Sequence, residues 1–308
     1  MSVPRVSVVM SVYNGSTFLR RSMDSILGQS WSDFELIIID DGSVDDSPLI
    51  LAEYQSRDLR VQVLTQSNTG LTRSLIRGCE TARGEFIARH DADDWSAPER
   101  LARQVTLLDS NPAIGFVTCT SQYVGPRDEL LESVSRTGEP AEVTRKLMEE
   151  RQGPPAHGSV MFRRSVYEAV GGYRAEFYFG QDADLWMRMA ERSLMGSVPV
   201  CLYHVRRHPD SVSGAMGELQ SEFGKLGQQC RAARLGGQGE EVFLAQARQL
   251  SERIPKRANG TNAGRSAMAY LIGATLRQNN DARARDYFWQ AIVSNPWNWR
   301  AWCRWLVN

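Results

Sequence analysis

The 308-residue chain has no run of 18 or more apolar residues, so none of its helices is expected to span a membrane. It has no surplus of charge. Thirty-six basic residues face thirty-six acidic ones, whereas a general nucleic-acid binder needs an excess of Lys and Arg to neutralise phosphates. Nucleic acid is therefore not an expected partner. No Cys-x-x-Cys pair occurs. Cys79, Cys119, Cys201, Cys230 and Cys303 are scattered and odd in number, which argues against a disulfide framework or a thiolate zinc site and fits a reducing compartment. Neither Gly-x-x-x-x-Gly-Lys nor Gly-x-Gly-x-x-Gly is present, which removes the P-loop and dinucleotide readings. The first apolar run, Val6 to Val12, is short and broken by Ser7 and Ser11, so no signal peptide is expected and the location is read as cytoplasmic.

What is present is an alternation. Val6–Val12, Phe34–Ile39, Val61–Leu64, Phe86–Arg89 and Ile114–Cys119 are short, apolar and rich in β-branched residues, as buried strands are. Between them, Ser16–Gln29, Asp45–Arg57, Leu71–Ala82 and Pro98–Ser110 carry helical spacing. Apolar strands joined by crossover helices imply an α/β fold, a mostly parallel sheet flanked by helices. Polar residues 121 to 155 read as an excursion over the active-site face with a helix near 142–150. Short strands are expected at 159–162 and 198–202, and a helix at 184–192. From about Gly214 the chain reads as helical, with Trp297, Trp299, Trp302 and Trp305 near its end and one hairpin of tetratricopeptide-like cadence. The expected domains are 1–213 and a C-terminal helical extension, 214–308.

In such sheets ligands bind beyond the carboxyl ends of the strands. Two of those ends carry acid: Asp40-Asp41 and Asp91-Ala92-Asp93-Asp94. A single Asp after a strand is more often a turn former or helix cap, and Ser43, Asp45 or Asp94 would serve that way. A cluster of three within four residues is costly unless a cation or hydrogen bonds offset the repulsion. Oxygen-only ligands suit Mg2+ or Mn2+, and substrate phosphates usually complete the shell of such ions.

The run Val6-Ser7-Val8-Val9-Met10-Ser11-Val12-Tyr13-Asn14-Gly15 closely resembles the opening of family 2 glycosyltransferases with a GT-A fold. So do residues 25–43, the segment Ala82–Asp94, Gly171-Gly172-Tyr173-Arg174, Gln181-Asp182-Ala183-Asp184-Leu185-Trp186, and Arg207-His208-Pro209-Asp210-Ser211-Val212-Ser213. These motifs occur in the family's order over about residues 4 to 213. The resemblance implies a GT-A-type, Rossmann-like sheet and an inverting transfer from a nucleoside-diphosphate sugar, a UDP-sugar foremost, to an acceptor hydroxyl on a glycan, lipid-linked or protein acceptor in surface glycan synthesis. It places Ser11, Val12 and Tyr13 at the nucleobase, with Asp41 accepting a hydrogen bond from it. Asp91 falls near the ribose and the metal, Asp93 and His208 on the Mn2+ or Mg2+ ion, and Asp182 as the general base. Gln181 stands where many relatives have Glu, Ser11 where Pro is frequent and Arg77 where Asn is frequent. His157, Arg73 and Arg89 remain open between phosphate or site roles and ordinary structural ones.

Two other readings stand beside this. A nucleotidyltransferase would share the sheet and the acidic site, but would carry a basic phosphate loop after the first strand, where Tyr13-Asn14-Gly15-Ser16-Thr17 has no cation. A non-catalytic scaffold would act through the helical tail, which is also the expected surface for a homodimer or for peripheral contact with the inner face of the membrane.

Overall fold

Strand β1 (Val6–Val12) is covered on both sides, with only Ser11 partly exposed. Val6, Val8, Met10 and Val12 enter a core with Leu19, Met23 and Ile26 of helix α1 (Ser16–Leu27). Val9 enters another with Ile37, Ile39, Leu75 and Cys79. The buried hydroxyl of Ser7 donates to Glu35 Oε1 at 2.7 Å and accepts from the Gly84 N–H. The computed structural model describes residues 3–209, 217–254 and 261–307.

Strands β2 (Phe34–Asp40), β3 (Val61–Thr65) and β4 (Phe86–Asp91) join β1 as a parallel sheet in the order β3-β2-β1-β4. Helices α2 (Ser47–Arg57) and α3 (Leu71–Thr81) lie in the crossovers. The register sets Val12 beside Asp40 and Ser11 beside Asp91, so the carboxyl ends of β1, β2 and β4 are level. Asp45 ties two helix starts to this edge: one oxygen accepts from the Ser16 N–H and the other from the Ser47 N–H, both at 3.0 Å.

The chain continues through β5 (Trp95–Ser96), α4 (Arg100–Ser110), β6 (Ile114–Val124), β7 (Leu130–Val134), α5 (Pro140–Glu150), β8 (Met161–Arg163), α6 (Arg164–Ala169), α7 (Gln181–Ala190) and β9 (Leu194–Arg206). The sheet extends past β4 as β8-β6-β9-β5, with β4–β8, β6–β8 and β5–β9 antiparallel and β7 paired to β6. The expected excursion after Ser121 is thus in part sheet: β6 runs on to Val124 and β7 returns along it.

Two compact units interleave along the chain. The first comprises Met1–Ser121, Ser135–His204 and Phe223–Lys256; the second comprises Gln122–Val134, Val205–Glu222 and Arg257–Asn308. The expected boundary at 213/214, and residues 210–213 of the last motif, lie outside the described residues. In the first unit, α8 (Gly217–Leu235) from Phe223 onward and α9 (Glu241–Glu252) pack with the sheet domain. Phe223 meets Phe177 and Phe179, Arg234 pairs with Glu191 at 2.7 Å, and Arg174 pairs with Glu240 at 2.6 Å.

The second unit centres on a hairpin of α10 (Asn262–Gln278) and α11 (Ala284–Ser294), followed by α12 (Trp299–Leu306). Leu131 of β7 joins Met268, Ile272, Leu276, Tyr287 and Phe288 in its core. Gly273 allows the two helices to approach closely, because a Cβ there would stand 3.0 Å from the Phe288 ring and 3.1 Å from the Ala284 carbonyl oxygen. Thr261 and Asn298 cap α10 and α12 through their side chains.

Candidate active site

The level ends of β1, β2 and β4 gather five of the expected site residues, Ser11, Val12, Tyr13, Asp41 and Asp91. Ser11 is half-buried, Val12 fully buried, and Tyr13 is 41% exposed just beyond the strand. The Asp41 N–H donates to the Val12 carbonyl at 2.8 Å. The Asp41 carboxylate is buried and heavily engaged. Oδ1 accepts from Gln66 Nε2 at 2.7 Å and from the Thr69 N–H at 2.9 Å, with the Thr69 hydroxyl at 3.2 Å. Oδ2 accepts from the Gly70 N–H at 2.8 Å. Four donors match the capacity of a carboxylate, so Asp41 anchors loop 66–70. Arg77, one of the departures from the family pattern, donates to Gln66 Oε1 at 2.9 Å and so braces the amide that bonds Asp41. Tyr178 completes this end. Burial, then Asp41 and Tyr13, raise its hydroxyl above the usual tyrosine range.

At the end of β4, Asp91 is bound from beneath. Arg89, wholly buried, donates from Nη2 to Asp91 Oδ1 at 2.5 Å. Its Nη1 donates to the carbonyls of Val9 and His90, at 2.9 and 3.1 Å, and its Nε donates to His157 Nε2 at 3.3 Å. Burial opposes the Arg89 charge, but Asp91 and the phenols of Tyr173 and Tyr203 outweigh it and hold the guanidinium protonated. The open readings of Arg89 as a phosphate ligand or a neutraliser of the cluster thus divide: it neutralises Asp91. Burial and Arg89 depress His157 well below the usual imidazole value, so it is neutral and Nε2 accepts, also from the Tyr173 hydroxyl at 2.6 Å. Arg73, by contrast, is an exposed residue of α3.

The Asp91 N–H donates to the Tyr203 hydroxyl at 3.1 Å. Gly158 passes so close that a Cβ would stand 1.8 Å from that hydroxyl and 2.7 Å from Asp91 Oδ2. Tyr178, Tyr203, Tyr173 and Gly158 are contributors that the sequence reading did not assign. Two of them carried a signal: Tyr173 within the Gly171-Gly172-Tyr173-Arg174 motif, and Gly158 between His157 and Ser159.

Asp93 lies half-buried in the turn after β4. Asp94 is buried, with its N–H directed to the Asp91 carbonyl at 3.3 Å. It does not cap the following helix, whose cap position is Glu99. Asp182 is the second residue of α7, whose cap position is Gly180. Its carboxylate accepts from the Ala183 N–H at 2.8 Å. Burial raises the Asp182 carboxyl above its usual value. The backbone N–H groups and Arg89 oppose this, and Asp91 adds to it. Asp182 therefore stands within electrostatic range of both Asp91 and Arg89. His208 follows β9 and belongs to the second unit.

A hard cation would need several oxygen donors at this edge. Among the described residues no group of three or more His, Cys, Asp or Glu side chains is placed to hold a metal. Asp91 and Asp93 offer carboxylate oxygens at one strand end, with Asp91 Oδ1 committed to Arg89. One or two carboxylates, with phosphate oxygens and water completing the shell, is how proteins hold Mg2+ and its analogues. The residues fit an ion that arrives with a phosphorylated ligand.

A sheet of this order, with carboxylates at its carboxyl edge, is an α/β architecture whose ligand site lies beyond the ends of β1, β2 and β4. The family model for Glycosyl transferase family 2 matches residues 7–171, more than half of the chain. The chain belongs to that family and is a glycosyltransferase. The EpsE protein of Bacillus subtilis (strain 168), which carries a glycosyltransferase name, is 34% identical over 219 residues, covering 68% of this chain and 76% of that protein. EpsH of the same organism, also named as a glycosyltransferase, is 31% identical over 219 residues, covering 69% and 63%. Among solved structures, S. aureus TarS 1–349 in complex with UDP-GlcNAc superposes with a TM-score of 0.57 at 15% identity, covering 94% of this chain and 79% of that one. The mannosyltransferase PcManGT from Pyrobaculum calidifontis in complex with GDP-Man and Mn2+ gives 0.53 at 17%, covering 97% and 88%. Likeness at such identity establishes the GT-A-type fold. A further family model, Anaphase promoting complex subunit 8 / Cdc23, matches residues 237–306, where the helical cadence was noted. No helix among the described residues is long and apolar enough to cross a membrane.

Proposed function

We propose that the enzyme transfers a sugar, with inversion, from a nucleoside-diphosphate donor to an acceptor hydroxyl, with Asp182 as general base. The observation that supports this is the chain of contacts from α7, which carries Asp182, through Trp186 and His157 to Arg89 and Asp91 at the end of β4. UDP is the favoured nucleotide. The half-exposed ring of Tyr13 and the backbone bond that ties Asp41 to Val12 support a nucleobase site at this strand end. Surface glycan synthesis is the favoured setting, with a glycan, lipid-linked or protein acceptor.

Asp182 takes the acceptor proton as the oxygen attacks the anomeric carbon. Its raised affinity for protons suits that task at neutral pH better than an ordinary aspartate would. Arg89 keeps Asp91 ionised and oriented. Asp91 and Asp93 would hold Mn2+ or Mg2+, which supplies charge stabilisation to the departing diphosphate. Attack from the face opposite the leaving group inverts the anomeric centre without a covalent enzyme intermediate.

Calorimetry with UDP, GDP and dTDP, each with and without Mn2+, tests the donor half. Equal, metal-independent binding of all three that survives Asp93→Asn refutes it. Asp182→Asn tests the base: turnover should fall by a factor of about 10²–10⁴ while nucleotide affinity holds. Normal turnover in that variant removes the role.

A further inference from the structure

Apolar exposure in the second unit is concentrated on α11, α12 and the link between them. Trp289 and Val293, four residues apart, share one face of α11. Trp299, Trp302 and Leu306 follow i, i+3, i+7 spacing on α12, while Ala301 is turned inward and fully buried. The two stripes meet where Trp289 and Trp302 stand edge to face, ring centroids 6.3 Å apart. Trp297, in the link, is 90% exposed. Single exposed apolar residues need no explanation, but a contiguous aromatic patch marks a contact surface.

The charge on α12 has one sign. From Tyr287 to Asn308 the sequence holds Arg300 and Arg304 and no acidic residue. These arginines lie four apart on α12. Arg300 stands over the Trp299 ring at 5.6 Å, and Arg285 over the Trp305 ring at 5.0 Å. Asp286, the nearest acid in sequence, is paired with Arg127 at 3.3 Å. Tryptophan favours the bilayer interface, where its ring is partly dry and its N–H wet, and arginine favours anionic headgroups. Aromatic and aliphatic residues on one face, with cations beside them, are the pattern of helices that lie in that interface.

We propose that the α11–α12 face docks the enzyme on an anionic lipid surface. The test is co-sedimentation of the full chain with vesicles of phosphatidylcholine, with and without one third phosphatidylglycerol, at low and high salt. The chain should sediment with the phosphatidylglycerol vesicles, less with phosphatidylcholine alone, and less at high salt as the attraction is screened. Each arginine near such a surface is worth roughly a fivefold gain in binding, so the double variant R300E/R304E should bind at least about 25-fold more weakly. The double variant W297S/W299S should also lose at least roughly tenfold by withdrawing interfacial aromatics. Unchanged circular dichroism and melting of both variants show that the unit remains folded. Absence of sedimentation with the anionic vesicles, or equal binding by all forms, overturns the proposal. So does a dimer in light scattering that W297S/W299S dissolves while no form binds vesicles, because that outcome assigns the face to a second copy.

Discussion

Replacing Arg89 by Met keeps the bulk of the side chain and removes every donor. It leaves the carbonyls of Val9 and His90 and the Asp91 Oδ1 without their buried partner. Breaking a buried ion pair from one side costs about 3–5 kcal/mol. Asp91 is 29% exposed, so water recovers part of its loss and the lower end applies, about 3 kcal/mol. At about 2–4 °C per kcal/mol for a domain of this size, melting should fall by roughly 10 °C. Mn2+-dependent binding of UDP should weaken as well, because Asp91 loses its orientation. R89M/D91N should be less unstable than the sum of its single changes, since removing both charges leaves no uncompensated ion; the coupling should lie within about 0.5–3 kcal/mol. Differential scanning calorimetry with nucleotide titration reads both effects. An R89M protein that melts and binds UDP like the wild type, or strict additivity in the double variant, refutes the role given to Arg89.

The raised Asp182 carboxyl fixes a pH sign. Its base form is lost as pH falls through a value above that of an ordinary aspartate, so the acid limb of the rate profile should lie above about pH 3.9. The folded state binds this proton more readily than the unfolded state, so Asp182 ionisation costs stability at neutral pH and the cost is relieved as pH falls. D182N should therefore melt no lower than wild type at pH 7, and a clear loss would contradict the assignment. D41A should release loop 66–70 at a cost of about 1–3 kcal/mol and weaken nucleotide binding, since the part-buried N–H groups of Thr69 and Gly70 lose a charged acceptor. Fast hydrogen exchange of Thr69 and Gly70 is the readout, and unaltered protection would count against the anchor role. G158A should push on Tyr203 and Asp91, costing about 1–3 kcal/mol and lowering Mn2+-dependent UDP affinity. Wild-type affinity would mean that the site tolerates the displacement.

The parallel half of the fold was legible because β1, β2 and β4 carry the apolar runs Val8–Met10, Leu36–Ile39 and Phe86–Ala88 and leave one pattern to fit. Their ends were legible for the same reason, since acid after such a strand stands out. The antiparallel half was not. In β7 only Leu131 is buried, and β5 has two residues, so neither leaves a periodic trace. The grip on Asp41 was hidden because its donors lie 25 to 29 residues away, in a polar loop with no pattern of its own. Arg89 was ambiguous for a different reason: a cation in a strand beside acid fits both a ligand and a counter-ion, and only its complete burial separates them. The tail reads as helical throughout, but which helices pack with which unit depends on pairs such as Arg234–Glu191, more than 40 residues apart.

Five of the eight tryptophans stand between residues 289 and 305, most of them open to solvent. Intrinsic emission of this protein should therefore be red-shifted already in the folded state, and these exposed indoles should add little further shift in a fluorescence melt. Trp186 is the exception. It is buried, stacked on Phe116 and edge-on to His157. A chain with the five distal indoles changed to phenylalanine would leave Trp186 as the reporter beside the catalytic network, with Trp31 and Trp95 as its only background.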